Sequence, residues 1–186
     1  MYSTPDFRKG LKIELNGEPF TIVDFLHVKP GKGGAFVRTT LKSLISGNVI
    51  DRTFRSGEKV DKPNLEEREM QFLYETDGEF HFMDTETYEQ LFLMGSHLGD
   101  ARNYLQENVN VTVLFHNGNP IGVDVPIFVE LTVASTEPGM KGDTAAGATK
   151  PATLETGMTV QVPLFVNEGD VLKIDTRTGK YMERVR

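Results

Sequence analysis

The chain has 186 residues, enough for two or three small domains, and 38% of them are hydrophobic, enough for buried cores. It contains no Cys, which excludes a disulfide framework and thiolate metal sites. No apolar run reaches the ~18 residues of a membrane-spanning helix, and residues 1–6 lack the basic and apolar parts of an export signal, so we expect a cytoplasmic protein without a membrane partner.

The net charge of −7 is distributed unevenly along the chain. Residues 1–63 contain 11 Lys and Arg against 7 Asp and Glu, a net charge of +4. Residues 64–129 contain 2 against 12, a net charge of −10, and residues 130–186 contain 7 against 8, a net charge of −1. The first third is therefore suited to phosphates, whereas the middle third is not expected to cover RNA backbone.

Residues 1–63 are predicted to form an SH3-like barrel of about five short strands. Asn16-Gly17 is a strong hairpin signal, and a second hairpin is predicted around Pro30-Gly31-Lys32-Gly33-Gly34. The predicted strand stretches are 11–15, 18–23, 21–26, 35–41 and 49–55. Because Pro fixes one φ and Gly allows positive φ, Lys32 is expected at a narrow tip with no bulky neighbour. A solvated turn would have the same residues, so the tip alone assigns no function.

The strands around this tip contain further basic residues. Arg38, Lys42, Arg52 and Arg55 are expected to form a basic face beside Lys32, suited to salt-dependent phosphate contact.

The other two thirds are each predicted to form an OB-type barrel. In residues 64–129, strands are predicted at 70–74, 79–83, 109–115 and 121–125. Asp84 as an N-cap predicts a short helix over 84–91, and 100–105 is predicted to be another helical turn. In residues 130–186, strands are predicted at 130–134, 159–162, 171–175 and 180–185. The polar segment 137–151 is predicted to be a loop or linker, in which Gly142-Asp143-Thr144 offers N–H groups and a hydroxyl to phosphate or base edges.

No pattern of residues indicates an enzyme. The spacing required for a P-loop, a dinucleotide fingerprint and a nucleophile elbow is absent. No carboxylate pair stands out for acid–base chemistry. The four His residues, His27, His81, His97 and His116, are isolated in sequence and lack ligand spacing. We therefore expect no catalytic residue, no metal and no dissociable cofactor.

Two separated patterns resemble bacterial translation elongation factor P. One is the hairpin 28–36 with Lys32 at its tip. The other is a spaced set in the last third, consisting of Lys150, Ala152, Gly157, Val160, Val162, Pro163, Val166 and Gly169. Gly142-Asp143-Thr144 and the closing Tyr181 and Arg184 match as well. The resemblance covers the whole chain and implies three β-barrels in an L shape: a KOW-type SH3-like domain at 1–63 and OB-type domains at 64–129 and 130–186.

The resemblance also implies a function. Members of the family bind the 70S ribosome between the P and E sites when synthesis stalls at consecutive prolines, and the tip Lys reaches the CCA end of the P-site peptidyl-tRNA. Lys32 is therefore the expected contact with ribosomal RNA, and its covalent extension by a modifying enzyme, for example by a β-lysyl group, is expected. Lys29, Pro30, Gly31, Gly33 and Gly34 form the tip loop.

Further contacts are implied position by position. Arg38 and Lys42 are expected on tRNA backbone, and Gly142-Asp143-Thr144 on the mRNA in the E-site codon region. Tyr181 and Arg184 are expected near the P-site anticodon arm or the small subunit. The acidic middle domain should face ribosomal protein, and the protein is expected to be a monomer. Two alternatives stay open: an elongation-factor-P-like paralogue with another regulatory role, and a general RNA-binding or transcription-associated barrel protein.

Overall fold

A computed structural model describes residues 1–139 and 147–186, and these fold almost entirely into β-strands. The described residues contain sixteen strands and three short 3₁₀ helices but no α-helix, which confirms the predicted all-β class. The chain divides into two compact units. One unit comprises Met1–Glu67 and Leu114–Gly122, and the other Arg68–Val113 and Val123–Arg186.

The N-terminal barrel combines a four-stranded antiparallel sheet with a two-stranded one. Its strands are β1 (Tyr2–Ser3), β2 (Lys12–Leu15), β3 (Glu18–Val28), β4 (Phe36–Ser43), β5 (Val49–Arg55) and β6 (Lys59–Val60). The larger sheet has the order β2-β3-β4-β5, and β1 pairs with β6. The Asn16-Gly17 turn joins β2 to β3 with positive φ at both residues, as its sequence predicts.

The core of this barrel follows the period-two pattern of its strands. Along β4, Val37, Thr39, Leu41 and Ser43 are buried, and the residues between them face outward. Phe54 is fully buried and meets Phe7 edge to face, with ring centroids 5.3 Å apart. The barrel that supports the predicted tip is therefore held together by alternate apolar residues.

The middle part of the chain forms a five-stranded sheet. Its strands are β7 (Leu65–Thr76), β8 (Glu79–Asp84), β9 (Gln90–Met94), β10 (Asn110–His116) and β11 (Asn119–Asp124). Their order is β11-β10-β7-β8-β9. Short 3₁₀ helices occupy Gly95–His97 and Gly99–Tyr104, and the second of them matches the helical turn predicted at 100–105.

The helix predicted over 84–91 is wrong, although its N-cap chemistry is present. The Asp84 carboxylate accepts the backbone N–H groups of Glu86 at 2.8 Å and Thr87 at 3.1 Å, which holds the pKa of Asp84 below its usual value. Tyr88 then adopts a φ of +63°, and β9 begins at Gln90. An Asp cap initiates a tight turn as readily as a helix, and here the chain reverses so that β9 pairs with β8.

The C-terminal barrel is a five-stranded antiparallel sheet. Its strands are β12 (Phe128–Thr136), β13 (Thr149–Leu154), β14 (Thr159–Pro163), β15 (Val171–Asp175) and β16 (Lys180–Arg184), in the order β14-β13-β12-β15-β16. Strands β14 and β16 at the two ends of this order lie close together, so the sheet curves into a barrel. Its core includes Leu131, Leu154, Leu172 and Ile174.

The boundaries at 63/64 and 129/130 stay predictions. In the described ranges, no helix is long and apolar enough to cross a membrane.

Candidate functional site

The tip of the β3–β4 hairpin is open and exposed. The strands pair as far as Val28 and Phe36, and the segment between them, which contains Lys32, lies beyond the ladder. Of the three tip glycines only Gly33 has a positive φ, at +97°. At Gly31, Gly33 and Gly34, no heavy atom of the described residues lies within 4 Å of an added Cβ. The sequence therefore produces a bare loop around the exposed Lys32, and Lys29 and Pro30 are exposed beside it.

The strands that lead to the tip are the two central strands of the barrel sheet. The register of β3 shifts between Ile22 and Asp24, which is a β-bulge, and bulges bend a strand and increase its twist. Beyond the shift, the pairs run from Asp24–Thr40 to Val28–Phe36. At about 3.3 Å per residue, this stretch adds about 13 Å of paired strand before the tip loop begins. Lys32 therefore lies on a loop that begins where two paired strands of the barrel end, and this pairing defines the direction of the hairpin.

The basic face predicted beside the tip is only partly correct. Arg38 and Lys42 occupy exposed positions of β4 on the side facing away from the core, and register places Arg55 of β5 opposite Phe36 on that same side. The Arg38 guanidinium lies over the Phe36 ring, 5.5 Å from its centroid. Arg38, Lys42 and Arg55 thus share one side of the sheet, which we call the basic face.

Arg52 does not belong to the basic face. Its guanidinium lies over the buried Phe54 ring, 5.1 Å from the centroid. Residues 52 and 54 share one side of β5, whereas residues 53 and 55 share the other. The sequence predicts Arg52 and Arg55 on the same face, and only the pairing register separates the two.

Tyr181 and Arg184 lie on β16 of the C-terminal barrel. Tyr181 is half-buried against the core and pairs with Ile174. Arg184 is 3.5 Å from the Asp170 carboxylate, and its guanidinium lies 4.7 Å from the centroid of the exposed Phe165 ring. Gly142-Asp143-Thr144 lies outside the described residues. The sequence does not indicate that Phe165 lies beside Arg184, because the two residues are far apart along the chain.

Lys150 of the spaced pattern has a structural position. Its side chain is buried, and its ammonium donates a hydrogen bond to the backbone carbonyl of Glu137. This bond ties the start of β13 to the end of β12. In the described part of the chain, no group of three His, Asp or Glu side chains is arranged to hold a metal ion.

Comparison with known proteins gives a consistent family. The elongation factor P KOW-like domain matches residues 3–60, the elongation factor P OB domain residues 65–123, and the elongation factor P C-terminal domain residues 129–184. Elongation factor P from Natranaerobius thermophilus is 58% identical over 186 residues, covering 100% of this chain and 99% of its own. Elongation factor P from Moorella thermoacetica is 59% identical over 184 residues, covering 99% and 100%.

Solved structures agree with these relatives. Eukaryotic translation initiation factor 5A from Methanococcus jannaschii aligns with a TM-score of 0.56 and 25% identity over 64% of this chain and 88% of that one. A translation initiation factor eIF-5A family protein from Naegleria fowleri, 16% identical with a TM-score of 0.51 over 67% and 96%, shares the fold. From its three domain matches and its full-length relatives, the chain belongs to the elongation factor P family, a family of translation elongation factors.

Proposed function

We propose that the protein binds the ribosome between the P and E tRNA sites and stimulates peptide-bond formation at stalled consecutive prolines. The observation that supports this proposal is Lys32, an exposed amine on the tip loop of a paired hairpin, surrounded by glycines without side-chain neighbours. Family membership supports the coarser statement that the protein acts in translation. The cytoplasm, where ribosomes work, is the proposed location.

The physical role of Lys32 is positional. Proline is a poor acceptor because its nitrogen is a constrained secondary amine, and as a donor its ring restricts the peptidyl chain. An ammonium beside the CCA end of the P-site tRNA holds that end in a pose ready for attack, which lowers the entropic part of the barrier. Ribosomal RNA remains the catalyst in this proposal, so the protein acts as a translation factor rather than as a classical enzyme.

The basic face supplies the second contact of the proposal. Arg38, Lys42 and Arg55 are exposed on one side of the strands that support the tip. Guanidinium and ammonium groups in a row fit the phosphates of a tRNA backbone, and each phosphate contact makes binding more sensitive to salt. Because these charges lie on the strands that lead to the tip, the basic face is expected to bind the tRNA backbone beside the CCA end that Lys32 approaches.

Contacts farther along the chain follow from the family pattern. We assign Gly142-Asp143-Thr144 to the mRNA in the E-site codon region, and Tyr181 and Arg184 to the anticodon arm of the P-site tRNA or the small subunit. The net charge of −10 over residues 64–129 favours a basic ribosomal protein over RNA for the middle part. The working form is a monomer.

Lys32 is also the proposed site of covalent extension. The tip glycines leave space for a modifying enzyme to approach its amine, and a longer arm with more donors contacts more RNA. Intact mass of the protein purified from its native cell, followed by peptide mapping, is expected to show added mass on the Lys32 peptide. An unshifted mass in active native protein would rule out the extension but not ribosome binding.

A polyproline reporter tests the function in cells lacking the native factor. Wild type is expected to relieve the stall, Lys32→Ala to lose most of that relief, and Lys59→Ala, which removes an exposed lysine of the same barrel, to behave as wild type. Equal relief by Lys32→Ala and wild type would reject the tip mechanism. Tight binding to free RNA without relief of stalling would favour a general RNA-binding protein, and ribosome binding without relief would favour the paralogue.

A further inference from the structure

The tip of the β10–β11 hairpin belongs to the same compact unit as the N-terminal barrel. This unit includes Leu114–Gly122 together with Met1–Glu67. Strand β10 ends at His116, and Asn117 and Gly118 form a two-residue turn with φ values of +50° and +81°. Such a turn fixes the register of the hairpin, so the side chain of His116 has a defined direction.

His116 directs its ring at a carboxylate of the N-terminal barrel. Its Nε2 lies 2.9 Å from Oε1 of Glu14 on β2. The side chains are 8% and 22% exposed, so the contact is largely shielded from water. An ionised carboxylate only accepts hydrogen bonds, so Nε2 donates to Glu14 and cannot accept from the Asn117 amide, 3.4 Å away.

Two backbone hydrogen bonds flank this contact. The Asn117 N–H donates to the Asn64 carbonyl at 3.1 Å, and the Glu14 N–H donates to the Asp61 carbonyl at 2.9 Å. The segment that leads out of the barrel is thus bonded on one side to the hairpin turn and on the other to β2. The His116–Glu14 bond joins the hairpin directly to β2 across this segment.

We propose that His116 and Glu14 form a latch that fixes the barrel containing Lys32 in one orientation on the tip of the β10–β11 hairpin, Leu114–Gly122. The two are positioning residues, and their effect on translation rests on the proposed function of Lys32. Removing either partner breaks the side-chain hydrogen bond between the hairpin tip and β2, which favours rotation of the barrel about this contact. Because Lys32 lies at the tip of the β3–β4 hairpin of this barrel, a rotation of the barrel at the latch also displaces the Lys32 amine.

The latch is separable from the folding of the barrel. The barrel core consists of Ile13, Ile22, Val37, Leu41, Phe54 and other apolar residues, and neither latch residue belongs to it. Neighbouring Ile13 is fully buried, whereas the Glu14 side chain points to the other side of β2. Truncating Glu14 should therefore loosen the hairpin contact while the barrel stays folded.

Pulsed electron–electron spin resonance tests the latch without ribosomes. The chain has no Cys, so Thr53→Cys on the barrel and Asn119→Cys on the hairpin, both exposed, provide the only two label sites. The labelled wild type is expected to give a narrow distance distribution, and His116→Ala or Glu14→Ala a broad or displaced one. His116→Gln, which keeps a side-chain donor, should restore the narrow distribution. Unchanged distributions in both Ala variants would overturn the latch. If His116→Ala does not fold by circular dichroism, Glu14→Ala decides.

The rate of Pro–Pro peptide-bond formation tests the link to Lys32. His116→Ala is expected to slow it on the order of tenfold, because loss of alignment far from the chemistry lowers rates strongly, and His116→Gln to recover most of it. In a Lys32→Ala background, His116→Ala should cause no further loss, whereas a destabilising effect would lower the residual rate again and contradict the positioning role. If the wild type gives no stimulation, the proposed function fails, while the spin-label distances still decide the latch.

Discussion

Replacing Gly33 or Gly34 by Ala, one at a time, distinguishes the effect of backbone conformation at the tip from the effect of an added side chain beside Lys32. Gly33 and Gly34 are adjacent, and a Cβ added at either would meet no heavy atom of the described residues within 4 Å. They differ in φ, which is +97° at Gly33 but not positive at Gly34. Gly33→Ala therefore introduces backbone strain, whereas Gly34→Ala adds the same methyl group without it.

The size of the effect depends on that φ. A non-glycine residue in a sparsely populated backbone region costs about 1–3 kcal/mol. Since every ~1.4 kcal/mol is a factor of ten in population, the observed tip conformation of Gly33→Ala should be reduced about 5- to 140-fold relative to other loop conformations. The strain is confined to an exposed loop that can relax, so the melting temperature should not change.

The assay is stimulation of Pro–Pro peptide-bond formation at subsaturating factor. Stimulation by Gly33→Ala is expected to fall by up to the same factor as the population of its tip conformation. Gly34→Ala is expected to retain more of the wild-type stimulation. Wild-type stimulation by Gly33→Ala would show that the conformation of the tip does not matter. Equal losses in the two variants would show that the added methyl group, rather than φ, causes the defect.

Three further predictions rest on burial, hydrogen bonding and charge. Phe54→Ala should lower the free energy of unfolding by about 3–5 kcal/mol in urea titrations, because a fully buried ring is removed; a loss below ~1 kcal/mol would contradict the core assignment. The pKa of Asp84 is lowered in the folded state, so its contribution to stability is present above the usual carboxyl value of 3.8 and lost as pH falls through the folded pKa. Asp84→Asn should therefore lose less stability than wild type on acidification, and equal acid sensitivity would refute the cap. Arg38→Ala should reduce the salt slope of ribosome binding by about 1, whereas Arg52→Ala should leave it nearly unchanged, and equal slopes in the two variants would contradict the division of the basic face.

The strands and turns of this protein are largely predictable from sequence because their signals are local. Asn16-Gly17 and Asn117-Gly118 both adopt the positive φ values that make such pairs hairpin turns. The helix predicted after Asp84 is wrong because a side-chain cap does not specify the conformation of the residues beyond it. Pairing of β9 with β8 decides that outcome, and this pairing is not visible in the local residues.

The candidate site also contains features that local sequence predicts and features that depend on strand pairing. Lys32 at an open tip is predictable from five consecutive residues. The division of Arg52 from Arg55 depends on which side of β5 faces the core, and a shift of one residue would reverse it. The contact between Glu14 and His116 joins residues 102 positions apart, and this histidine has no neighbour in sequence that indicates the contact.

The rate of a single Pro–Pro peptide bond, measured in a purified translation system with and without the factor, tests the central claim most directly. Wild type is expected to accelerate this step. Folded Lys32→Ala is expected to bind ribosomes but to accelerate the step far less. Peptide bonds between other residues should form at the same rate with either protein. Full acceleration by Lys32→Ala would contradict the claim that one amine at the hairpin tip positions the P-site substrate.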